Sequence, residues 1–129
     1  MATIQKLIPL VASSAILLAV DGLYLNNIGI ATFKKNVELI QKSPLELNMY
    51  GALLSYVCVI SVLYYFIISQ HKPVLDAFLL GILLYGTFDM TNISIFKQYA
   101  WKTALIDTLW GGILFAFTTW ATYALVKLI

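Results

Sequence analysis

The chain has 129 residues, 61% of them hydrophobic and 11% charged, with a formal net charge of +2. Soluble domains carry about 25% charged residues, so this composition excludes a soluble globular domain, a disordered chain and a secreted disulfide scaffold. It identifies an integral membrane protein of a single domain, 1–129.

The small counts narrow the chemistry further. All eight basic residues are Lys. Without Arg there is no planar fork for phosphate, so no nucleic-acid partner is expected. Cys58 is the single cysteine and His71 the single histidine. One thiol forms no internal disulfide or redox pair, and one imidazole is too few for a zinc or haem site. No cofactor, metal site or catalytic residue is expected. There is no P-loop and no nucleophile elbow.

A spanning helix needs about 20 apolar residues, because the hydrocarbon layer is ~30 Å thick. Four stretches meet this: 7–30, 47–69, 74–96 and 103–126. The predicted fold is therefore all-α, a transmembrane four-helix bundle. Apolar sequence continues past Asp21 with no small-residue cleavage site before a polar start, so the first stretch reads as a span and not as a signal peptide.

After it, Phe33, Val37 and Ile40 share a helical face, with Lys34, Lys35, Glu38 and Lys42 elsewhere. This fits either a short amphipathic helix at the interface or a solvated continuation of the first helix. Ser43-Pro44-Leu45-Glu46 reads as a capping box opening the second helix. Pro73 is placed at the first position of the third helix, and Asp76 in its first turn, where the helix dipole favours an acid.

Lysines set the expected orientation. Lys34, Lys35, Lys42, Lys97 and Lys102 fall on one side and Lys6, Lys72 and Lys127 on the other. The richer side is expected to be cytoplasmic, with both termini non-cytoplasmic.

The informative residues are the acids inside spans: Asp21, Asp89 and Asp107. An Asp at a helix centre costs ~3 kcal/mol on insertion scales. Measured from the Lys-rich ends of their helices, they lie at depths of ~13, ~10 and ~6 Å, all in one half of the membrane. Asp89 shares a face with Tyr85 and Asn92, Asp21 with Tyr24 and Ser14, and Asp107 with Thr103 and Trp110, since residues three or four apart are neighbours. If these faces turn inward they assemble one pocket of carboxyls, an amide and phenols, able to exchange protons or accept a cation. The bland alternative is that they only fasten helices by interhelical hydrogen bonds.

Gly81, Gly86, Gly111 and Gly112 read as close helix contacts. Trp101, Tyr99, Tyr50, Tyr64, Tyr65, Trp120 and Tyr123 read mostly as interface aromatics, and Cys58 as a packed small residue. Lys102 is near enough in sequence to pair with Asp107, although reaching up to the interface suits it better.

Three segments carry a family resemblance. They are Val20-Asp21-Gly22-Leu23-Tyr24-Leu25, then Tyr85-Gly86-Thr87-Phe88-Asp89-Met90-Thr91-Asn92, then Trp101 followed by Asp107-Thr108-Leu109-Trp110-Gly111. In order and spacing the chain resembles the small four-span membrane proteins of domain of unknown function 2177. Family members place Arg in the first loop, where this chain has Lys34 and Lys35. The resemblance implies a polytopic fold with the Asp and Asn residues as its signature, and it brings no biochemical function.

Three functions stay open from the residues. The first is a small transporter or a proton-, cation- or small-ligand-binding protein. It would use Asp21, Asp89, Asn92 and Asp107 with Tyr24 and Tyr85, would act as a homodimer, and would take a polar or cationic ligand. The second is a structural or assembly subunit of a larger membrane complex or an enveloped particle. The third is a membrane-embedded enzyme on a lipid or isoprenoid, with Asp89 and Asp107 as acid and base. Non-enzymatic readings lead.

Overall fold

The computed structural model describes residues 2–128, with side chains from Ile4 onward. It is all-helical. Among the described residues four helices are long and apolar enough to cross a membrane.

The first is unbroken over Ile4–Gln41. Helix α1 (Ala2–Tyr24) passes through a π-helical segment, Leu25–Gly29, into α2 (Ile30–Gln41). Tyr24 and Gly29 both keep right-handed helical angles. The amphipathic stretch is therefore a continuation of the first helix, which does not stop near residue 30. At 38 residues it is ~57 Å long, well over the ~30 Å hydrocarbon layer.

The predicted capping box is corrected. Helix α2 ends at Lys42, which turns left-handed at φ 58°. Residues 43–48 are not helical. Glu38 Oε2 accepts the Leu45 N–H at 3.2 Å, and Gln41 Nε2 donates to the carbonyls of Ser43 and Pro44 at 3.2 and 2.9 Å. The preceding helix thus takes up the backbone groups that a cap at Ser43 would have used. Helix α3 (Met49–Leu63) starts instead from Asn48, whose side chain accepts the Gly51 N–H at 3.1 Å.

A second π segment, Tyr64–Ile68, closes α3. Helix α4 (Val74–Ile95) has Pro73 at its N-cap, one position earlier than read from the sequence, and Asp76 in its first turn. Helix α5 (Trp101–Leu128) follows after five residues.

Helices α4 and α5 form the tightest, antiparallel pair. A Cβ added at Gly81 would meet the backbone of Gly111 and Gly112, and one at Gly112 would meet Ile82 and Phe78 at 2.7 and 2.9 Å. Farther along, a Cβ added at Gly86 would lie 3.4 Å from the Thr108 methyl. The core gathers Leu17, Leu63, Ile67, Ile68, Ala77, Leu114 and Phe115. Helix α3 joins it only through its C-terminal half. Its N-terminal half stands off, with Met49, Tyr50, Leu53, Leu54 and Val57 exposed. These apolar side chains suit contact with lipid, and the gap behind them is a cleft.

Candidate functional site

Two of the three buried acids, Asp89 and Asp21, are held by side-chain donors from other segments. Asp89, on α4, is fully buried. Its Oδ1 accepts from the Tyr99 hydroxyl at 2.8 Å and its Oδ2 from Thr108 Oγ1 at 3.1 Å. Asp21, on α1, accepts from Trp110 Nε1 at 2.8 Å and from the Tyr56 hydroxyl. Asp107, on α5, is buried; it adjoins Thr108, which bonds Asp89, and lies one turn before Trp110, which bonds Asp21. Lys102 is exposed and takes no part. The three acids thus meet where α1, α4 and α5 converge.

Tyr24 and Tyr85 flank them differently. The Tyr24 ring stacks on Trp110 with centroids 4.2 Å apart and planes 8° from parallel. Its hydroxyl is buried with no partner among the described residues. Gly29 makes room for it, because a Cβ there would come within 2.9 Å of the Tyr24 ring. Tyr85 packs edge-on against Phe115 at 6.1 Å and lines the cleft. Asn92 is half-buried one turn beyond Asp89.

Tyr99 is therefore not an interface aromatic. Only 8% of it is exposed. Burial, and then the hydrogen bond to Asp89, hold its phenol above the ordinary range, so it stays a donor at any physiological pH. Its loop is fixed by Asn36 on α2. That amide donates to the Gln98 carbonyl at 2.6 Å and accepts the Ala100 N–H at 2.9 Å. We expect Asn36→Ala to lower stability by about 1–3 kcal/mol, since it removes two hydrogen bonds between α2 and the loop, each worth ~0.5–1.5 kcal/mol. It should also bring the alkaline titration of Tyr99 down toward that of an exposed tyrosine, read by ultraviolet absorbance against Tyr99→Phe. An unchanged titration would show that Asn36 does not place Tyr99.

Beside the acids lies the cleft, of about 580 Å³. Leu25, Ile30, Phe33 and Val37 form one wall, Ser55, Cys58, Val59 and Val62 of α3 a second, and Leu84, Tyr85 and Phe88 of α4 a third. Among the described residues that line it, Asp107 is the one acid. Cys58 is exposed and faces this space, which corrects its reading as a packed residue. Tyr50 is 83% exposed and lies outside the lining.

Periodicity did not single out Asn36, Tyr56, Thr108 or Trp110 as partners. A signal existed for Asn36: it sits on the same stripe as Phe33, Val37 and Ile40, where an amide must find buried partners. Trp110 shares the Asp107 face by spacing, yet its indole bonds Asp21; Tyr56 and Thr108 carry no such mark.

The family model described as predicted membrane protein (domain of unknown function 2177) matches residues 6–124. No curated protein and no solved structure matches the chain.

Proposed function

We infer that this chain, which belongs to the predicted membrane protein family of domain of unknown function 2177, binds a small amphipathic cation and carries it across the membrane. The observation that supports this is the apolar 580 Å³ cleft with Asp107 as its single acid. Sites for drug-sized ligands enclose ~300–1,000 Å³ and combine apolar walls with a few polar groups. The walls fit an apolar body, and Asp107, the acid among the lining residues, fits a positive head. A carboxyl group can hold a proton or face a cation, so the two compete at Asp107.

The lysine-rich end, with Lys34, Lys35, Lys42, Lys97 and Lys102, is placed on the cytoplasmic side. The proximity of Asp89 and Asp107 also suits an acid–base pair. Asp89 is fully buried and outside the cleft lining, so a substrate has no path to it, and binding is the stronger reading.

Equilibrium dialysis of the purified protein with tetraphenylphosphonium tests it, with neutral triphenylphosphine oxide alongside. We expect saturable binding of the cation alone, weakening as pH falls because proton and cation compete for one carboxyl. Equal retention of the neutral compound, or no saturable binding, would remove the proposal.

A further inference from the structure

Three hydroxyls in the other half of the bundle have no role in the site described so far. Thr118, Thr119 and Thr122 of α5 are each 0% exposed. None of their Oγ1 atoms has a hydrogen-bond partner among the described residues. Spaced one, three and four apart, they lie on one side of the helix.

Their depth follows from the register of α1 against α5. Asp21 is bonded to Trp110, and the two helices run in opposite directions. Eight residues back from Asp21 is Ser13, and eight forward from Trp110 is Thr118, each ~12 Å away along its helix. Ser13 is also buried, at 2% exposure, and among the described residues its hydroxyl bonds only to the Leu10 carbonyl at 3.2 Å. One apolar layer of Leu17, Leu114 and Phe115, all fully buried, separates this level from the aspartates.

An unpartnered hydroxyl in a dry interior costs ~1–3 kcal/mol, and three close together form an unstable arrangement. Hydroxyls elsewhere in the chain avoid it by bonding the carbonyl four residues back. Ser14, Thr32, Ser69 and Thr87 do so at 2.7–2.9 Å. The three α5 threonines are turned away from that bond. Buried water settles where several polar groups converge, making about three hydrogen bonds each.

We propose that Thr118, Thr119 and Thr122, with Ser13 opposite, form an internal water-binding site. The bundle then holds a hydrated level on one side of the Leu17, Leu114 and Phe115 layer and the aspartates on the other. This site makes no use of the ligand at Asp107, so the two proposals fail separately.

Isosteric replacement decides between wet and dry hydroxyls. In Thr118→Val, Thr119→Val and Thr122→Val, singly and together, shape is kept and the water contacts are lost. We expect the melting temperature in detergent to fall with each change and furthest in the triple variant. A rise would mean that the hydroxyls are dry. No change would mean that they bond the helix backbone, and either result overturns the proposal. The unaltered protein gives a second reading that needs no variant. Magnetisation transfer from water to labelled threonine methyls should reach Thr118, Thr119 and Thr122, and its absence at all three would equally overturn the site.

Discussion

Asp107→Asn weakens tetraphenylphosphonium binding by about 30-fold or more and removes its dependence on pH. The amide matches the carboxyl in shape, so the cleft keeps its form while the charge goes. Truncating one side of a buried charge pair costs ~2–5 kcal/mol, and ~2 kcal/mol is the 30-fold. Asp89→Asn makes the informative comparison. Asp89 lies outside the cleft lining and keeps its Thr108 and Tyr99 neighbours. We expect its affinity to change far less, because the acid that lines the cleft is kept. Dialysis of both variants over a pH series checks this. If Asp107→Asn bound the cation as the parent does, the carboxyl would have no part in recognition.

Gly81→Ala gives the largest loss of stability expected from any single methyl group in this chain. An added Cβ would run into the carbonyl of Gly111, with the Gly112 Cα at 2.9 Å. Both are backbone atoms of the facing helix, so no side-chain rotation relieves the contact. Helices α4 and α5 must separate, opening the whole interface. Overpacking of this kind costs ~1–3 kcal/mol or more, and this position belongs at the upper end. Gly22→Ala provides the opposite sign. Nothing lies within 4 Å of a Cβ there, and exchanging Gly for Ala inside a helix gains ~0.5–1 kcal/mol. Thermal melts of the two proteins should bracket the parent. A Gly81→Ala variant as stable as the parent would show that α4 and α5 pack less closely than their glycines indicate.

The reach of sequence reading differs between features for physical reasons. Apolar runs long enough for a bilayer are a local property, so the four helices could be marked from residue order alone. Acids at intramembrane depth stand out because their burial is expensive. The partners of those acids are another matter. Tyr56 and Trp110 lie 35 and 89 residues beyond Asp21, and helix periodicity carries no information over such distances. Tyr99 resembled an interface aromatic because its position beside a helix end is shared by both roles. Only the fold of the loop, fixed by Asn36, turns it onto Asp89. The capping box failed through competition, since Glu38 claims the Leu45 N–H. The cleft exists because half of α3 stands off from its neighbours, and no pattern of residues along α3 records that.

The wide spacing of the Asp21 partners has a bearing on biogenesis. A chain is made from its N-terminus, so Asp21 enters the membrane while the indole that will hold it has yet to be translated. Until then the apolar remainder of its helix must outweigh an insertion penalty of ~3 kcal/mol. The last helix delivers Trp110, Thr108 and Asp107 in one step. Maturation is therefore expected to be late and abrupt, with the first three helices held as a loose intermediate until the ribosome finishes.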